Sequence, residues 1–139
     1  MLWVTRPRCH IHRTACAWLI RRFVDPDARF EFALDAETAQ TLGGTPFDMR
    51  GVELGHHQGR CSFESVLLRY HLDDSALREL AAVVHEADVD DDKFHTPEAP
   101  GLDAAIRGLG LVIEDDLKLF EVTDRVHDGL YAWFRRTVA

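Results

Sequence analysis

Apolar residues recur at helical spacing through most of the second half of this chain, and this pattern restricts the fold more than any other feature. Residues 75–87, 101–112 and 115–136 each show it, and the first of these segments carries on one face Leu77, Leu80, Ala81 and Val84. Positions three and four apart share one face of an α-helix. The second half is therefore predicted to be helical, with loops only between the helices.

The first half alternates strand patterns with helix patterns. Residues 2–5 and 29–34 are predicted strands. Residues 11–24 form a predicted helix that Asp25-Pro26 ends, because the residue before proline avoids helical backbone angles. Three shorter elements follow, namely a helix over 35–42, a strand within 45–54 and a helix that Ser62 caps and that runs to about 71. The sequence thus predicts a helix-rich α+β fold with a small β-sheet.

Length and composition favour a single domain over residues 1–139. With 139 residues, of which 46% are hydrophobic, the chain is long enough to build a core, and it has no linker that would divide it. Asp and Glu number 24 against 16 Lys and Arg, which gives a net charge of −8. Because nucleic-acid binding depends first on basic residues that neutralise phosphates, nucleic acid is not an expected partner.

Localisation is predicted from cysteine usage and hydropathy. The three cysteines are an odd number and too few for a disulfide scaffold, so we expect a reduced, cytoplasmic protein. The apolar run at 15–20 is too short for the core of a signal peptide. No other stretch reaches the ~20 apolar residues of a membrane span, so no membrane association is expected.

Candidate metal ligands are concentrated in a glycine-flanked loop and on two helices. The loop contains His56 and His57, Cys61 comes directly after it, and Glu64 follows in the first turn of the next helix. On a later helix His85 and Asp88 are three residues apart and therefore neighbours on its surface. Imidazole nitrogen combined with carboxylate oxygen suits iron, manganese or zinc. The pattern predicts one divalent-metal site with the ligands His56, Glu64, His85 and Asp88.

Ordinary structural roles remain open for the same residues. A carboxylate in the first helical turn, as at Glu64, is already favoured by the helix dipole. His85 and Asp88 also suit a helix C-terminus, where a positive histidine is favoured and an aspartate caps the following turn. The glycines of the loop permit either His56 or His57 to point inward.

Two further groups of residues lie near the N-terminus. One group consists of thiol and imidazole side chains that could bind zinc, although it lacks Cys-x-x-Cys spacing. Its members are Cys9, His10, His12 and Cys16. Cys16 is also expected to pack in the core as a small apolar residue. A basic group, which suits either a small anion or a solvated helix surface, consists of Arg6, Arg8, Arg13, Arg21 and Arg22.

Several longer segments occur in an order that is similar to that of a known protein family. They include Trp3-Val-Thr-Arg6, Arg13-Thr-Ala-Cys-Ala-Trp-Leu-Ile-Arg-Arg, Pro46-Phe-Asp48, Cys61-Ser-Phe-Glu64, Val84-His-Glu-Ala-Asp88 and Asp128-Gly-Leu-Tyr-Ala-Trp133. In these segments the chain resembles, over nearly its whole length, the C-terminal domain of the chromate resistance protein ChrB family. Members usually carry Asp-Arg where this chain has His12-Arg13, so the resemblance implies either that His12 replaces that aspartate as a ligand or acid/base group or that the site is altered here. It also implies chromate-dependent regulation in two-domain members.

Three functions are compatible with these patterns. The first is a metal-binding domain, plausibly a small metalloenzyme, in which Arg13 places a small anionic substrate or oxyanion near the ion and His57 or His12 carries protons. The second is a sensor that binds chromate or a related oxyanion without turnover. The third is a structural partner domain whose histidines are ordinary surface residues. The identity of the ion, the reaction and the oligomeric state do not follow from the sequence.

Overall fold

Short strands and longer helices follow one another in the predicted order. The computed structural model describes residues 1–88, without the side chain of Asp88, and residues 96–136. Within these ranges the elements are β1 (Leu2–Thr5), α1 (Ile11–Leu19), β2 (Arg29–Phe32), α2 (Ala36–Thr41), β3 (Thr45–Pro46), α3 (Ser62–Arg69), α4 (Ser75–Asp88), α5 (Ala99–Val112) and α6 (Asp116–Arg136). The helix-rich α+β class with a small sheet is thereby confirmed. Of the helices described, none has the length and apolar character needed to cross a membrane.

The sheet is parallel and has β1 at its centre. The strand order is β2-β1-β3, and Trp3 pairs with Phe30 on one side and with Thr45 on the other. Parallel neighbours need crossover connections, and the crossovers here contain α1 and α2. The carboxyl ends of the strands therefore lie at one edge of the sheet. In open parallel sheets, ligands bind in the crevice outside that edge.

Helix α1 is the central helix of the core, as its broad apolar surface predicts. All of its side chains except that of Arg13 are buried. The predicted helix over 11–24 is found as α1 followed by a π-helical turn, Ile20–Val24, which ends where the Asp25 N–H donates to the Ile20 carbonyl at 2.7 Å. The predicted apolar face of α4 is confirmed as well, because its members are buried in the same core: Leu77, Leu80, Ala81 and Val84.

The predicted strand within 45–54 is much shorter in the structure, and the backbone of Asp48 explains why. β3 ends at Pro46, Phe47 makes an isolated bridge with Leu54, and Asp48 has a left-handed φ of 48°. Strand geometry requires a negative φ, so the chain leaves the sheet at this residue. The Asp48 N–H donates to the Leu54 carbonyl at 2.9 Å and closes the loop that results.

The N-cap of α3 is Cys61, whereas the sequence predicts Ser62. Ser62 is the first helical residue, and its hydroxyl donates to the Asp48 carboxylate at 2.7 Å. Glu64 accepts the backbone N–H of Cys61 at 3.0 Å, which is one half of a capping box. The first turn of α3 consequently presents Ser62 to the loop that follows β3, while Glu64 bonds back to the N-cap.

Candidate functional site

The predicted ligands fall into two clusters. Among the residues that the structure describes, groups able to bind a metal, with donor atoms all within 4.8 Å of one another, occur as two sets, namely His12, Asp48, His56 and Cys61, Glu64, His85. We call the first set the Asp48 cluster and the second the Cys61 cluster. The structure thus places His56 in one cluster and Glu64 with His85 in the other. The side chain of Asp88, the fourth predicted ligand, lies outside the part that is described.

Asp48 is the residue around which the first cluster is arranged. Its Oδ1 lies 3.3 Å from His12 Nδ1 and 3.7 Å from His56 Nδ1, and its Oδ2 lies 3.4 Å from Arg13 Nε. Only 8% of the residue is exposed. A non-glycine residue with positive φ stores backbone strain, and such strain is concentrated at functional sites. Two imidazoles and one guanidinium group therefore converge on a buried carboxylate that the strained loop holds in place.

The first turn of α3 orients the two histidines. Ser62 Oγ lies 3.0 Å from His56 Nδ1 while its hydroxyl donates to Asp48. The backbone N–H of Phe63 donates to His12 Nε2 at 3.2 Å. An imidazole nitrogen that accepts a hydrogen bond carries no proton, so neutral His12 carries its proton on Nδ1, the nitrogen that faces Asp48.

Gly55 allows the loop with His56 to pack closely against the loop that contains Asp48. A Cβ atom at this position would lie 2.8 Å from the Met49 carbonyl oxygen and 3.1 Å from that of Val52. A side chain at Gly55 would therefore push His56 away from Asp48. The glycine that precedes the histidine pair consequently has a steric role in forming the cluster.

An arginine-lined cavity of about 340 Å³ opens beside the Asp48 cluster. Its lining residues include Asp48, His56 and three arginines, Arg6, Arg13 and Arg50. Arg6 follows β1 directly and Asp48 comes two residues after β3, so the cavity lies at the carboxyl edge of the sheet, where a ligand is expected. Three cations face one carboxylate, and this balance favours a small anion.

The Cys61 cluster is buried beneath the interface of α3 and α4. Glu64 Oε1 lies 2.6 Å from His85 Nδ1 and also accepts the Cys61 N–H. Burial of the carboxylate opposes ionisation, but these hydrogen bonds outweigh it and hold the pKa of Glu64 below its usual value. Burial, with the neighbouring Glu64 carboxylate adding to it, raises the pKa of the Cys61 thiol strongly. The side chain of Glu64 is 21% exposed, whereas that of His85 is fully buried.

Other predicted candidates lie elsewhere. His57 Nε2 lies 2.8 Å from the Val52 carbonyl oxygen and 3.0 Å from that of Glu53, so its ring closes the loop and belongs to neither cluster. The alternative zinc group is not assembled, because among the described residues the two clusters include His12 but not Cys9, His10 or Cys16. Cys16 is buried in the core, as predicted.

The predicted basic group is divided between two parts of the molecule. Arg6 and Arg13 line the cavity, whereas Arg21 and Arg22 bond carboxylates on α6. Arg50 completes the lining of the cavity and was not among the predicted site residues, nor was Asp48. For Asp48 a signal existed, since it ends the segment Pro46-Phe-Asp48 of the family resemblance.

Comparison with known proteins gives a consistent result. The sequence model of the family described as "ChrB, C-terminal domain" matches residues 3–134. The protein named "Protein ChrB" from Cupriavidus metallidurans is 37% identical over 137 residues, which cover 95% of this chain. The chain spans 40% of the length of that relative. No solved structure matches the chain.

Proposed function

We propose that this chain, which belongs to the family of ChrB C-terminal domains, binds a divalent metal ion at the Asp48 cluster and a small oxyanion in the adjoining arginine-lined cavity. One observation carries the proposal. The Asp48 carboxylate lies within 3.3–3.7 Å of two imidazole nitrogens and of the Arg13 guanidinium. The same residue therefore joins a set of metal ligands to an anion-binding wall.

The chemistry of the ligands fits iron, manganese or zinc. Two histidines and one carboxylate form the ligand set of many non-haem iron sites, and zinc accepts the same donors. Three protein ligands leave coordination positions open for water or substrate. The His56 side chain is 45% exposed, so an ion has access to the cluster. Relative to the ligand set predicted from sequence, His12 and Asp48 replace Glu64, His85 and Asp88.

The residues around the cluster have separate tasks in this proposal. A bound ion supplies Lewis-acid chemistry or a water molecule of lowered pKa. Arg13 and Arg50 orient the oxyanion through charge-assisted hydrogen bonds, and Arg6 adds positive charge at the rim. While its Nε2 accepts the Phe63 N–H, neutral His12 carries its proton on Nδ1, so Nδ1 becomes a ligand only when that proton moves to Nε2 and the hydrogen bond from Phe63 breaks. The roles of His12 and His57 as proton carriers, and turnover itself, remain predictions.

A second candidate function is an oxyanion sensor that needs no metal ion. The observation that favours it is the cavity itself, because three arginines and only one carboxylate are among its lining residues. Chromate is the oxyanion that the family resemblance suggests. In either function we place the protein in the cytoplasm, where three buried cysteines stay reduced.

Elemental analysis of the purified chain tests the metal site. We expect His56→Ala to lose about one equivalent of metal per chain relative to the wild type. The matched control is His57→Ala, the adjacent histidine outside both clusters, which we expect to keep its metal content. Equal metal content in the wild type and His56→Ala would contradict the proposal.

Titration calorimetry with chromate and with sulfate, before and after removal of metal by a chelator, separates the two functions. Binding that disappears with the metal supports the metal–oxyanion site, whereas binding that survives supports the sensor. In both cases Arg13→Gln is expected to weaken the affinity at least tenfold, which corresponds to about 1.4 kcal/mol. Arg107→Gln, on α5 and away from the cavity, is the control.

A further inference from the structure

We infer that the Cys61 cluster is a second metal site, distinct from the Asp48 cluster, and that it takes zinc through sulfur, nitrogen and oxygen. This inference does not depend on the proposed function, since the two clusters share no ligand. The three residues are Cys61 at the N-cap of α3, Glu64 in the first turn of the same helix and His85 near the end of α4.

The fold brings these donors together at short range. The thiol, carboxylate and imidazole donor atoms lie within 4.8 Å of one another. Glu64 Oε1 is 2.6 Å from His85 Nδ1 and accepts the Cys61 N–H at 3.0 Å. A carboxylate has two oxygens with about four lone-pair sites, so Glu64 retains acceptor capacity beyond these contacts. Because His85 belongs to a different helix, the set depends on tertiary packing and is not a feature of the helix terminus alone.

Cys61 is an unusual residue for the N-cap of a helix. Ser, Thr, Asp and Asn are the preferred N-cap residues because their side-chain oxygen accepts a backbone N–H strongly. Sulfur is a weak acceptor, so Cys61 is a poor choice if capping is its sole task. A thiolate is, however, a preferred zinc ligand. The capping box accounts for the spacing of Cys61 and Glu64, whereas the buried histidine from α4 beside them lies outside the box and adds a third donor suited to zinc.

A route for the ion exists on the side of Glu64. A cavity of about 590 Å³ lies between α3 and α4, and Glu64 forms part of its wall together with Leu67, Leu72 and Ala81. Cys61 and His85 are fully buried, so the carboxylate is the member of the set that faces this space. Three protein ligands and one position open toward the cavity correspond to a zinc site with a water molecule as its fourth ligand.

Cobalt substitution tests the inference, because thiolate-bound Co²⁺ absorbs intensely in the near ultraviolet and Co²⁺ bound only by nitrogen and oxygen does not. We expect the full chain, stripped of metal and titrated with Co²⁺, to show this band. Cys61→Ser should abolish it and lower the zinc content by about one equivalent, while serine preserves the cap of α3. Cys9→Ser, a buried cysteine outside both clusters, should retain the band.

The outcomes separate this site from the Asp48 cluster. Asp48→Asn is expected to lose one equivalent of metal and to keep the cobalt–thiolate band, so that failure of one site leaves the other testable. Absence of the band in the wild type, or its persistence in Cys61→Ser, would overturn the inference. Glu64→Gln, which keeps the size of the side chain, should weaken Co²⁺ affinity at least tenfold, and an unchanged affinity would likewise speak against it.

Discussion

Asp48 combines two properties that a single substitution can separate. Its backbone is in the left-handed region, which asparagine and glycine tolerate far better than alanine. Its carboxylate accepts from Ser62 and faces His12, Arg13 and His56. Backbone conformation and charge therefore make distinct contributions, the first to folding and the second to binding.

We predict that Asp48→Asn keeps the fold and loses the metal ion of the Asp48 cluster, whereas Asp48→Ala also lowers the free energy of unfolding. For alanine the expected loss is about 2–3 kcal/mol, because a buried hydrogen-bonded carboxylate is removed and a strained backbone is left without a suitable residue. Urea denaturation and metal analysis on both variants measure the two effects. Similar stability of the two variants would show that the backbone strain at this position is small.

His127, a buried residue of α6, is expected to influence how the stability of the protein depends on pH. The Thr14 hydroxyl donates to the Ile11 carbonyl, so His127 Nε2 donates to Thr14 Oγ1 at 3.0 Å. Nδ1 of His127 is buried and has no hydrogen-bond partner among the described residues. Burial lowers the pKa of His127 to about 4, against the smaller opposing effect of Asp128. Protonation of this ring is therefore disfavoured in the folded protein.

We predict that stability falls as pH drops from about 6.5 to about 4, the ordinary and the folded pKa of His127. In that range the unfolded chain binds the proton and the folded chain does not, so acidification favours unfolding by an amount on the order of 3 kcal/mol. Unfolding free energies measured across this range should fall less steeply for His127→Gln and for His127→Phe. Parallel slopes for the wild type and both variants would refute the assignment.

At the scale of elements, the first turn of α3 connects the two clusters. Ser62 and Phe63 contact the Asp48 cluster, while Cys61 and Glu64 belong to the other one. The backbone of one helical turn therefore sets the position of ligands on both sides. The strand-to-loop transition after β3 sets the position of Asp48 in the same way.

We predict that Ser62→Ala weakens metal binding at the Asp48 cluster by about tenfold, since supporting hydrogen bonds to a ligand typically contribute 10–100-fold to metal affinity. The lost hydroxyl also costs about 1 kcal/mol of stability. Competition with a chromophoric chelator gives the affinity. Thr123→Ala, which removes a buried hydroxyl bonded within α6, is the control and should lower stability without changing metal affinity.

The hydrophobic periodicity and the helix-breaking residues predict the helices and strands well. The exceptions depend on contacts between residues distant in sequence. β1 and the start of α1 are found where the apolar pattern and the following proline place them. No local sequence pattern predicts the π-helical turn, Ile20–Val24. Its two arginines bond carboxylates of α6, which are distant in sequence. The ligand clusters show the same limit, since the pairing of His12 with His56 depends on a loop that turns at a left-handed aspartate.

At the scale of the whole molecule, two carboxylates of α6 attach the end of α1 to the C-terminal helix. Asp128 accepts from Trp18 Nε1 at 2.7 Å and from the Arg22 guanidinium at 2.9 Å through both of its oxygens. Asp124 accepts from Arg21 at 2.7 Å. These contacts join residues more than a hundred positions apart, so they connect the two halves of the chain.

We predict that Asp128→Ala lowers the free energy of unfolding by about 2 kcal/mol, because it leaves the Trp18 N–H and the Arg22 guanidinium without their acceptor. Thermal or urea denaturation measures the loss. Asp103→Ala is the matched control on α5, where the partner is Arg107 one turn away within the same helix. We expect it to cost at most about 0.5 kcal/mol. Equal losses would mean that the contact between α1 and α6 does not depend on Asp128.

The left-handed backbone at Asp48 has a consequence for random mutagenesis. A single base change converts an aspartate codon into one for Asn, Gly, Ala, Val, His, Tyr or Glu, and of these Asn and Gly adopt positive φ most readily. A library screened only for protein abundance should therefore retain Asn and Gly at this codon and lose the β-branched Val. A screen for metal occupancy of the Asp48 cluster should retain neither. The two screens together would tell apart, at one codon, selection for folding from selection for function.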